Sequence, residues 1–65
     1  MNDEIGEAAG KVWSFLNENG ASTAARIMKG VNLSAKAFER AIGWLAREDK
    51  LAFEKVKGVE KIGLR

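Results

Sequence analysis

Apolar residues recur at helical spacing as far as Lys50 and at strand spacing beyond it. Ile5, Ala9, Val12 and Leu16 stand at i, i+4, i+7 and i+11, on one helical face. This predicts a first helix from Asn2 or Asp3 to Asn19. Asp3, Glu4 and Glu7 fall in its first two turns, where the helix dipole favours negative charge. Gly20 after Asn19 supplies a C-terminal stop. A short second helix is expected over 24–29, capped by Ser22 or Thr23, with Ile27 and Met28 turned inward and Gly30 as its end. Val31-Asn32-Leu33 reads as a turn. Ser34 is a good N-cap, and Leu33 and Phe38 stand at the spacing of a hydrophobic staple. The third helix is expected to run to about Asp49, with Phe38, Ala41, Ile42 and Leu45 on its inner face.

After Lys50 the period changes to two: Leu51, Phe53, Ile62 and Leu64 alternate with polar neighbours, as strands do. Val56-Lys57-Gly58-Val59 lies between the two runs, and Gly58 suits the positive φ of a tight hairpin. A short strand around Ala21-Ser22 is expected to pair with the hairpin. No repeat, linker or low-complexity segment interrupts the pattern. Three helices and a two-stranded β-hairpin, in that order, predict a single α+β, mainly α, domain over 1–65: a winged helix-turn-helix.

Composition narrows what such a domain can do. A chain of 65 residues has room for one domain and buries only roughly 60% of its unfolded surface. Hydrophobic residues make up 46%, Trp13, Phe15, Phe38, Trp44 and Phe53 among them. That is enough for a core and too much for a disordered chain. With no Cys and no His, disulfides, thiolate or imidazole metal sites and histidine acid–base chemistry are excluded. No apolar run approaches the roughly 20 residues of a membrane span. The acidic start, Asn2-Asp3-Glu4, is unlike a secretory signal. A cytoplasmic protein without cofactor or metal is expected.

The net charge of +2 hides an asymmetry. Residues 1–20 hold Asp3, Glu4, Glu7 and Glu18 against Lys11, whereas residues 21–65 hold ten basic against five acidic side chains. Basic charge confined to one part of a chain points to a polyanionic partner on one face, or to a solvated surface.

Two stretches bear a family resemblance. Thr23-Ala24-Ala25-Arg26-Ile27-Met28-Lys29-Gly30-Val31-Asn32-Leu33-Ser34 resembles the helix-turn of bacterial winged helix-turn-helix regulators. Ala41-Ile42-Gly43-Trp44-Leu45-Ala46-Arg47-Glu48-Asp49-Lys50-Leu51 resembles their passage from recognition helix to wing, and is especially similar to a family of very small bacterial and archaeal winged-helix proteins of unknown function. The resemblance implies DNA-binding geometry and a homodimer. The chain departs from many such regulators in lacking a long basic wing, a ligand domain and a dedicated dimerisation helix.

The residues of the third helix bear on that implication. At about 100° per residue, Lys36, Arg40, Gly43 and Arg47 fall within about 60° of one another, opposite the apolar face. Gly43 removes bulk between the two arginines and so permits close approach to a backbone. Ser34, Lys36 and Ala37 stand at the helix start, the end that meets base edges in a major groove. Alanines there offer at most contacts to thymine methyls, so direct sequence readout is thin. Lys55, Lys57 and Lys61 on the hairpin are placed for phosphates, Lys57 at the tip best of all. Glu54 and Glu60 are equally placed to pair with Lys55 and Lys61 across the strands. Arg26 and Lys29 on the second helix are further backbone candidates. Double-stranded DNA is the expected partner. RNA stays open, although an aromatic platform for single strands is not evident in the hairpin.

Trp13 and Phe15 lie about 80° to either side of the first helix's apolar stripe, and Trp44 about 80° from Lys36. These three are candidates for a homodimer interface, where aromatics are enriched. The rival to DNA binding is a protein-interaction module that uses the same aromatics. Catalysis is not expected: the scattered glycines form no phosphate loop, and Glu48-Asp49 makes no facing acid pair. No small-molecule ligand is evident.

Overall fold

A computed structural model describes the backbone of residues 3–65 and the side chains of residues 6–65. Asn2 and the side chains of Asp3, Glu4 and Ile5 lie outside the described residues. Helices α1 (Asp3–Asn19), α2 (Ala24–Val31) and α3 (Ala35–Arg47) precede an antiparallel hairpin of β1 (Leu51–Val56) and β2 (Val59–Leu64). This is the winged helix-turn-helix order predicted above.

The core collects the inner face of each element. Ala9, Val12 and Leu16 are buried, with Ala8 beside them. α1 packs chiefly on α3, which contributes Phe38, Ala41 and Leu45. Ile27 and Val31 come from α2, and Leu51 and Ile62 close the core from the hairpin. Each fully buried aliphatic or Phe side chain stabilises the fold by about 1.5–3 kcal/mol relative to exposure.

Helix ends follow local chemistry, with two corrections. Gly20, at φ 77°, ends α1 and returns its amide to the Leu16 carbonyl at 2.8 Å. The Thr23 hydroxyl caps α2 by accepting from the Arg26 amide at 3.3 Å. α2 does not stop at Gly30. It continues through Val31, which is buried, and Asn32 in the left-handed conformation (φ 54°) terminates it. Ser34 Oγ caps α3 by accepting from the Ala37 amide at 3.1 Å. α3 in turn ends at Arg47, short of Asp49. The Lys50 amide donates to the Leu45 carbonyl and that of Asp49 to Ala46, each at 3.0 Å, around a left-handed Asp49 (φ 59°). That is a Schellman closure, with Asp49 where glycine is commoner.

The hairpin register runs from Leu51 opposite Leu64 to Val56 opposite Val59. Lys57 (φ 51°) and Gly58 (φ 80°) make the two-residue turn, and two positive φ values define type I′, whose twist matches that of the strands. The expected short strand reduces to one bridge. Ser22 and Ile62 exchange amide–carbonyl bonds of 2.9 and 2.8 Å, so β2 is bonded on both edges. Phe53 departs from its alternation: it is opposite Ile62, yet 52% exposed where Ile62 is buried. Beyond Leu51 the helices no longer cover β1. Among the described residues no helix is long and apolar enough to cross a membrane.

Candidate nucleic-acid interface

α3 has two distinct faces. Phe38, Ala41 and Leu45 are buried and Ile42 half-buried, while Lys36, Arg40, Gly43 and Arg47 are exposed. Leu33 and Phe38, which flank Ser34, both belong to the same core, so the helix is held by its inner face and its N-cap. A stripe of three cations is thus presented along the whole exposed length of α3. Ser34 is exposed at the helix start. Its oxygen is used by the cap, which leaves its hydroxyl hydrogen free to donate. Ala37 is half-buried one turn later.

The second half of the stripe is concave. Arg40, Gly43, Trp44 and Arg47 line an open depression of about 290 Å³. A Cβ built on Gly43 would meet no heavy atom of the described residues within 4 Å, so their packing does not require glycine there.

The wing divides by register. Lys55 is opposite Glu60 and Glu54 opposite Lys61, so two of the three lysines face an acid across the strands. Lys57 sits in the turn itself, outside those pairs, and is exposed. The wing also carries what sequence reasoning missed. Phe53, Val56 and Val59 are 52%, 43% and 47% exposed, so an aromatic does stand open on the hairpin. On α2, Arg26 and Lys29 are exposed, with Lys29 in the last turn. Arg65 is committed elsewhere, with its guanidinium on the Asp49 carboxylate and its amide on the Lys50 carbonyl.

The three aromatics singled out for an interface divide. Trp13 and Trp44 are 42% and 41% exposed and help line a groove of about 310 Å³ between α1 and α3. The Lys50 ammonium lies over the Trp44 ring, 5.9 Å from its centroid, close enough for a cation–π contact. Phe15 is instead half-buried, its ring packed on Gly30 of α2 and against the core.

Comparison with known proteins agrees with the fold. Residues 1–64 match the model of a family described as a winged helix-turn-helix domain (DUF2582). An uncharacterized protein of Methanocaldococcus jannaschii, MJ1608, is 40% identical over 53 residues, which cover 78% of this chain and 76% of that protein. The solution NMR structure of protein BT2368 from Bacteroides thetaiotaomicron superposes with a TM-score of 0.83 at 39% identity, over 95% of this chain and 76% of that one.

Proposed function

The chain belongs to the DUF2582 family of winged helix-turn-helix domains, and on that premise we propose that it binds double-stranded DNA, as a small transcription regulator or a general DNA binder. α3 enters the major groove, and the β1–β2 wing lies on flanking phosphates. The observation that carries this reading is the exposed stripe of Lys36, Arg40 and Arg47, held opposite the buried face of α3. Lys57 at the wing tip supplies the clearest further phosphate contact, Lys55 and Lys61 each having an acid opposite on the partner strand. Ser34, Lys36 and Ala37 meet base edges. Two of these offer short side chains, so backbone contacts and DNA shape contribute more than direct readout. Such a role places the protein in the cytoplasm and requires no cofactor.

The test is fluorescence anisotropy of a labelled mixed-sequence duplex at several salt concentrations. Binding at low salt is expected to fall steeply as salt rises, and Lys36→Ala with Arg40→Ala is expected to weaken it with a shallower slope. A folded chain that binds no duplex even at low salt overturns the reading.

A second reading rests on Trp13. An indole 42% exposed in the α1–α3 groove, with Gly6 and Gly10 lining the same groove, favours self-association through α1, aromatics being enriched at such interfaces. Sedimentation at rising concentration tests it: a homodimer lost in Trp13→Ala is expected, and a monomer at every concentration contradicts it.

A further inference from the structure

Gly43 occupies the middle of the exposed face of α3, where glycine is a poorer helix former than alanine. Nothing within 4 Å of its missing Cβ demands that absence. The fold therefore derives no benefit from the gap, which makes it a feature of the surface. Around it stand Arg40 one turn before, Arg47 one turn after and Trp44 alongside, together walling the 290 Å³ notch. Among the described residues no carboxylate lines the notch; exposed Glu39, one turn before Gly43, and Glu48, next after Arg47, stand outside it. Lys50 stands over the indole of Trp44 from the neighbouring α1–α3 groove, outside the notch. An indole with two guanidiniums and an open backbone between them fits a deoxyribose-phosphate strand: anionic oxygens for the arginines, a sugar face for the ring.

We propose that this notch seats one backbone phosphate and its sugar from the bound duplex. The proposal rests on the DNA-binding reading above and makes Trp44 a nucleic-acid contact in place of a subunit interface. Position along the helix favours strand over base. At 1.5 Å per residue, Gly43 lies about 10 Å beyond Lys36 along the axis. The major groove is about 12 Å wide. A helix that meets base edges with Lys36 and crosses the groove at an angle brings Gly43 to the groove's rim, where a strand passes. Arg40 and Arg47 bond the phosphate oxygens, Gly43 lets the strand close on the helix, and the Trp44 ring packs on the sugar with its Nε1–H as a further donor.

The experiment uses the full chain, a mixed-sequence duplex and two variants. Gly43→Ala is expected to melt at the same temperature or higher, since alanine favours helix, yet to bind the duplex about tenfold more weakly, with a salt slope shallower by about one. Trp13→Phe leaves Trp44 as the lone indole. Its emission is expected to change on duplex addition and to saturate with the anisotropy. If the native chain binds no duplex, the DNA-binding reading fails and the seat with it. If it binds, but Gly43→Ala binds equally well and Trp44 emission is silent, the seat is overturned while DNA binding stands. A Trp44 response to polyglutamate as strong as to duplex also overturns it, in favour of an acidic-protein site.

Discussion

The ring of Phe15 on α1 lies so close to Gly30 on α2 that a Cβ added to Gly30 would stand 2.2 Å from it. Glycine inside a helix costs about 1 kcal/mol against alanine, and here the cost is offset by letting the ring pack. Gly30→Ala should therefore destabilise the domain by up to about 2 kcal/mol, the overpacking penalty less the propensity gain. In a Phe15→Ala background the same change should stabilise instead. Chemical denaturation of the four chains of this cycle reads the reversal; Gly30→Ala stabilising in both backgrounds would refute the contact. Gly10, with nothing within 4 Å of its missing Cβ, should gain about 0.5–1 kcal/mol on change to alanine.

Gly30 also marks where sequence reasoning stopped short. A glycine after a short apolar pattern reads locally as a helix end, and only the ring of Phe15, fifteen positions earlier in the chain, explains why it is interior. Asn32 takes over the left-handed turn because its short amide side chain tolerates that conformation. The cap at Ser34 was legible, and that of α2 narrowed to Ser22 or Thr23, because capping is decided within three residues. The basic stripe was legible because a packed helix has one period. Phe53 was not. Alternation assigns a residue to a sheet face but says nothing of how far the helices extend over that face. The concavity at Gly43 and Trp44 likewise depends on side-chain placement that periodicity does not carry.

Ser34 serves the fold through its cap and is proposed to serve DNA through its exposure, and the two roles separate. Ser34→Ala loses the bond from the Ala37 amide and should cost about 1 kcal/mol of stability. Ser34→Asp keeps the cap and gains from the helix dipole, so its melting temperature should hold. It nevertheless places a carboxylate at the groove-facing end of α3, and duplex affinity should fall by about tenfold or more. Equal duplex binding by Ser34→Asp and the native chain would remove the start of α3 from the interface.

Lys57 holds a left-handed conformation (φ 51°) at the first position of the type I′ turn, where Asn before Gly is the favoured pair. Lys57→Asn should stabilise the hairpin by up to about 1 kcal/mol. At about 4–8 °C per kcal/mol in a domain of this size, thermal melting resolves it. The same change removes the wing-tip cation, so duplex affinity should drop and the salt slope become shallower by about one. A variant that melts higher but binds DNA with unchanged slope would take the wing tip off the phosphates.

The central claim is that α3 and the wing form the face that meets DNA, and backbone amide shift mapping by NMR tests it most directly. A chain of 65 residues allows every amide to be followed as unlabelled duplex is added. The account predicts salt-sensitive shifts concentrated at Ser34 to Arg47 and Lys55 to Lys61, with the outer face of α1 around Gly6 and Gly10 unmoved. Shifts confined to α1 and Trp13, or none at any residue under low salt, would contradict it.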